Sequence, residues 1–62
     1  MNTKTESEAI RTIRTSPYLL QSVARVCGIQ THIVSSWIRE IPRKYWPEIG
    51  RVIGAQIVED AQ

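Results

Sequence analysis

The segment VARVCGIQTHIVSSW, Val23 to Trp37, sets a glycine inside an otherwise helix-compatible run. Glycine weakens a helix interior by about 1 kcal/mol relative to alanine. Gly28 therefore marks either a flaw in one helix or a corner between two. The apolar phase favours the corner. Val23, Ala24 and Cys27 keep helical spacing up to the glycine, and the phase resets at Gln30. A right-angled junction of two short helices needs a residue that accepts a left-handed backbone. Glycine does so without a Cβ clash. Ala24 is small enough to let the next helix approach, and Ile29 is placed to plug the corner. Val34 and Trp37 face the same interior.

Working outward, Thr5 and Glu8 have the spacing of a capping box, so a first helix starts there. Ala9, Ile10 and Ile13 line one face of it, and Thr15, Ser16 and Pro17 interrupt it. Ser16-Pro17 reads as a second start, serine as cap and proline in the first turn. Leu19, Leu20, Val23, Ala24 and Cys27 follow at helical spacing. A third helix begins near Gln30 and Thr31, with Val34, Trp37, Ile38 and Ile41 as its buried stripe. A fourth begins near Lys44. Pro47 then falls in the first turn, whose N–H groups have no internal partner. Ile49, Val52 and Ile53 form its apolar face, and Gly54 ends it. The last residues, AQIVEDAQ, are too few for a useful hairpin, and residues 1–4 are expected to fray. The expected fold is all-α, four to five short helices in a single domain over residues 1–62.

A chain of 62 residues is marginal as a monomer. Cys27 is the one cysteine, so no intrachain disulfide is possible. Cys27 and His32 alone are too few for a zinc site, and no metal or other cofactor is expected. Tight helix packing or self-association is left to stabilise the fold. A lone cysteine suits a reducing compartment. No apolar run reaches the roughly 18 residues of a membrane span. MNTKTESEA lacks a signal-peptide core, so a cytoplasmic location is expected. The net charge is +2, unevenly spread. Between Ala9 and Pro47 stand Arg11, Arg14, Arg25, Arg39, Arg43 and Lys44, six bases against the one acid Glu40, a net +5. Glu6, Glu8, Glu59 and Asp60 sit towards the ends. A basic centre suits an anionic partner such as nucleic acid, or is an ordinary solvated surface.

Val-Ala, Gly-Ile, Val-Ser and Trp, in register and followed by Ile-Pro, narrow the choice. The stretch VARVCGIQTHIVSSWIREIP resembles the small Cro repressors of lambdoid phages and prophages, which read approximately VAKALGISxxAVSxW followed by IP. The likeness covers Leu19 to Pro42 well and runs loosely to Gly54. It implies a lambda-repressor-like, Cro-like domain with a helix-turn-helix over about residues 17–40. It also implies a homodimer on a pseudo-palindromic double-stranded operator, repressing by occlusion of a promoter in a bacterial host cell. One position departs. Relatives often carry glutamine four residues before the alanine, where it touches phosphate; here that place is Leu20, and Gln21 follows it. Gln21, Tyr18 or the helix N-terminus is left for that contact.

In such a domain the third helix enters the major groove. With Val34 and Trp37 inward, its other face presents Gln30, Thr31, His32, Ser35, Ser36 and Arg39 for base reading. Gln30 suits adenine, and Arg39 suits guanine or a phosphate. Thr31 either meets a thymine methyl or caps the helix. His32 either donates to DNA or stands exposed and uninvolved. Ile33 either touches a thymine methyl or tucks against the first helix. Arg43 and Lys44 suit backbone phosphates. Tyr45 and Trp46 suit stacking on bases but, beside two prolines, read first as packing residues, and Cys27 reads as an inert core thiol over a redox sensor. Val52, Ile53, Ile57 and Val58 are the expected dimer surface.

A protein-interaction module, such as an antirepressor on the same fold, is the alternative. It needs no basic reading face, and Arg39, Arg43 and Lys44 weigh against it. No carboxylate pair, nucleophile–base set or phosphate-binding glycine loop points to an enzyme, and no small-molecule ligand is expected.

Overall fold

The computed structural model describes residues 2–60. A short strand, β1 (Thr3–Thr5), leads into α1 (Glu6–Arg14), α2 (Pro17–Cys27) and α3 (Thr31–Ser35). An irregular stretch follows. A 3-10 turn (Arg43–Tyr45) then opens into α4 (Trp46–Ile53), and β2 (Gln56–Val58) closes the order.

The capping box forms. The Thr5 N–H donates to Glu8 Oε1 at 2.9 Å, and the Glu8 N–H donates to Thr5 Oγ1 at 3.2 Å. Glu6 and Glu8 in the first turn and Arg11 and Arg14 in the last complement the helix dipole. Ala9, Ile10 and Ile13 are buried. Pro17 opens α2 as expected, but the Ser16 hydroxyl makes no capping bond. The Ser16 carbonyl serves instead, accepting from the N–H groups of Leu19 and Leu20.

Gly28 makes the corner. Its φ is +70°, in the left-handed region, and it ends α2. The Gly28 N–H donates to Arg25 and the Ile29 N–H to Ala24, so carbonyls at the helix end find donors. Val23 and Ala24 are buried below the corner, and Ile29 packs against the core.

The third helix is shorter than its spacing suggests. It stops at Ser35, so the stretch from Trp37 to Pro42 is not helical. Ser36 donates its hydroxyl back to the Ile33 carbonyl at 2.6 Å, and the Trp37 N–H closes on Val34. Such back-bonding by serine competes with continuing a helix. Ile38 is therefore not part of a buried stripe. It is 73% exposed, while Val34, Trp37 and Ile41 are buried. Once the helix ends, the helical phase no longer applies to residue 38.

The all-α expectation needs correction. β1 and β2 pair in parallel, Thr3 with Gln56, Lys4 with Ile57 and Thr5 with Val58. Thr3 and Lys4 are thus held in a sheet and do not fray, while Met1 lies outside the described residues. The tail is too short for a hairpin with itself, but its partner is the other end of the chain. The helices serve as the long crossover that a parallel pair requires. The pairing carries Ile57 into the core at 5% exposure, which removes it from the expected dimer surface. Ile57 joins Ile10, Ile13, Val23, Val34, Trp37, Ile41 and Ile49 in one cluster. α4 meets expectation in its details: Pro47 falls in the first turn, Ile49 is fully buried, and Gly54 ends the helix at φ +71°.

Candidate nucleic-acid interface

α3 and its two flanks gather most of the expected base-reading residues. Gln30 occupies the cap position in extended backbone, and Thr31 and His32 form the first turn. Ser35 is the last helical residue and Ser36 follows it. All five side chains are exposed, and Val34 alone of this helix is buried. The capping alternative for Thr31 is not realised, since Gln30 holds that position and no side chain caps the helix. Ile33 is 39% exposed, so part of its surface lies among these polar groups. The Ser36 hydroxyl proton is engaged with Ile33, which leaves that oxygen as an acceptor.

Arg39 borders two surfaces, and on one of them it shares a depression with Ser36. It lies four residues past the end of α3 and lines a depression with Arg43, Ile41, Pro42 and Trp46. The acids Glu6, Glu40, Glu59 and Asp60 line the same depression. The structure thus sets Arg39 between Ser36 and Arg43.

Arg43 and Lys44 each flank an aromatic ring. The Arg43 guanidinium lies 4.9 Å from the Trp46 ring centre, and Lys44 Nζ lies 5.1 Å from that of Tyr45. Both rings are packed as expected. Trp46 Nε1 donates to the Ile41 carbonyl at 2.8 Å, and Tyr45 meets Trp37 with ring centres 5.8 Å apart. Arg43 is also ion-paired with Glu59, both side chains being exposed. No spacing rule reaches that pair, because its partners come from different elements.

On α2, exposed Gln21 shares a shallow depression with Tyr18, Ser22 and Arg25. Tyr18 is 76% exposed. The spacing places these four on adjacent turns of one helix face. Arg25 belongs with Gln21, a grouping readable from its i,i+4 position.

The acidic end of the described chain folds back on α1. Asp60 accepts from the Ser7 hydroxyl and, at 3.1 Å, from the Ser7 N–H. These bonds hold the Asp60 carboxyl below its ordinary range. Glu8 is lowered too, first by the Thr5 backbone N–H and then by the Thr5 hydroxyl. Burial, with Glu48 nearby, raises the Cys27 thiol, which suits an unreactive cysteine. Among the described residues, no group of three or more histidine, cysteine or acidic side chains could hold a metal. No helix among them is long and apolar enough to cross a membrane.

No family model matches the chain, and neither a curated protein nor a solved structure matches it with significance.

Proposed function

We propose that this chain is a sequence-specific double-stranded DNA-binding regulator, a Cro-like repressor that occludes a promoter as a homodimer. The observation that carries this reading is the Gly28 corner. It joins α2 to a short helix with one buried residue, Val34, and a polar exposed face. That is the form a reading helix takes in a helix-turn-helix. Gln30, Thr31, His32, Ser35 and Ser36 are assigned to base edges, with Ile33 available to a thymine methyl. Lys44 and Arg43 are assigned to phosphates, as is Gln21 with Tyr18 and Arg25 beside it. Arg39, exposed between Ser36 and Arg43, suits guanine or a phosphate.

A single reading head this small touches few base pairs, and two heads roughly double the specific free energy. Val52, Ile53 and Val58 are half-buried in one chain and are available to a dimer contact. The lone thiol and the absence of any disulfide suit the bacterial cytoplasm.

The test is binding-site selection from random duplexes with the full chain. The expected product is a pseudo-palindrome whose half-sites lie about one helical turn apart. Binding to the selected duplex should weaken steeply with salt. Selection of no common sequence, with no salt-dependent shift, would reject the reading and favour a protein-interaction module on the same fold.

A further inference from the structure

Arg14 ends α1, yet its guanidinium is engaged at the exit of α3. Nη2 donates to the Ser35 carbonyl at 2.5 Å and to the Trp37 carbonyl at 3.3 Å. The last four carbonyls of a helix lack intrahelical donors. In α3, which has five residues, those are most of its carbonyls. The His32 and Ile33 carbonyls accept from the Ser36 N–H, and the Val34 carbonyl from the Trp37 N–H. The Ser35 carbonyl is the next in line, and Arg14 takes it. A helix this short does not hold itself together in water. Its attitude depends on what grips it, and the grips are buried Val34, the Gly28 corner and Arg14 Nη2.

We infer that Arg14 is a positioning residue, which fixes the C-terminal end of the reading helix and is not itself a phosphate contact. This rests on the DNA-binding reading above. The two roles make opposite demands on the side chain. A phosphate contact needs the charge, and lysine supplies it. The clamp needs one nitrogen, Nη2, to reach two carbonyls at once, and lysine, whose flexible stem ends one bond short of that position, is a poor substitute. Arg14 thus leaves the pool of basic residues at the nucleic-acid face, although its charge counts in the basic centre of the sequence.

The full chain and two variants, Arg14→Lys and Arg14→Gln, test this with two readouts. One is amide hydrogen exchange, comparing Ser36 and Trp37 with Val23 and Ile13. The other is affinity for the selected duplex and for a scrambled one over a salt series. In Arg14→Lys, exchange at Ser36 and Trp37 should accelerate about tenfold, the scale of a lost charged hydrogen bond, with Val23 and Ile13 unchanged. The ratio of specific to non-specific affinity should fall by a similar factor. The salt slope on the scrambled duplex should stay as it was. If Arg14→Lys keeps both exchange and ratio while Arg14→Gln weakens both duplexes alike and lowers the slope by about one, Arg14 is a phosphate contact and the inference is overturned. Uniformly faster exchange through α1 and α2 would assign Arg14 to global stability and overturn it as well. A wild-type chain that prefers no duplex would reject the DNA-binding reading and this role with it. The exchange data would then still distinguish that failure from the absence of a clamp.

Discussion

The carbonyl oxygen of Ala55 lies so close over Gly50 that a Cβ at residue 50 would stand 2.7 Å from it. Real Cβ atoms do not come that near an oxygen, so a side chain here must push the backbone after α4 away. That backbone leads directly into β2. Gly50→Ala should therefore cost about 1–3 kcal/mol, the range for forced overpacking. It should also weaken the pairing of Gln56 with the N-terminal segment, where the Gln56 N–H donates to the Asn2 carbonyl at 2.9 Å. Thermal melting together with exchange of the Gln56 amide checks both. An unchanged melting midpoint with a protected Gln56 amide would mean that the close approach is relieved at no cost.

Gly28 carries a different constraint. No atom lies within 4 Å of a Cβ built there, so space is not the issue. The constraint is the backbone, since φ +70° strains any residue with a Cβ. Gly28→Val should destabilise the fold by more than about 1 kcal/mol, β-branching making the strain worse. A denaturant titration that gives the same midpoint for both chains would place the corner elsewhere.

Trp37 is held from two sides, its ring near Tyr45 and its backbone carbonyl by Arg14. It is 9% exposed, so it belongs to the core. Trp37→Ala should cost roughly 3–5 kcal/mol, enough to unfold a domain this small. Trp37→Phe should keep the fold with a smaller loss. If Trp37→Ala keeps the wild-type melting curve and loses only DNA binding, the inward placement of this ring is wrong.

The Asp60 and Ser7 contact gives a pH dependence of fixed sign. The Ser7 hydroxyl and N–H depress the Asp60 carboxyl in the folded state. A depressed folded value stabilises the fold above the ordinary carboxylate range, about 4, and the contribution is lost as pH falls through the lower folded value. Asp60→Asn should melt earlier than wild type near neutral pH, and the two curves should converge as the solution is acidified below that range. A gap that persists unchanged in acid would show that the contact acts through something other than charge.

Several features were legible in the residues because their chemistry is local. Gly28, the Thr5 and Glu8 box, Pro47 in the first turn and Gly54 at the end of α4 each depend on groups within a few positions. What escaped depends on distant partners. Thr3 reads as a frayed end until Gln56 arrives beside it from the far end of the chain. Ile38 keeps perfect helical spacing with Val34, yet α3 stops between them. Arg43 reads only as a phosphate contact, while Glu59 pairs with it from the far end of the chain. Arg14 reads as one more positive charge, and only the folded chain brings it to the Ser35 carbonyl. The face of α3 was therefore readable, but the residues that hold or flank it were not.

The central claim is that the α3 face reads bases while basic residues beyond it hold the backbone. Gln30→Ala and Lys44→Ala, each titrated on the selected operator and on a scrambled duplex at several salt concentrations, test it most directly. Gln30→Ala should lose about 1–3 kcal/mol on the operator, relax preference at one base position and leave the scrambled duplex unaffected. Lys44→Ala should weaken both duplexes alike and reduce the salt slope by about one. The contrast follows because phosphates are the same along DNA and base edges are not. Loss of specific and non-specific affinity in equal proportion by both variants would contradict the account.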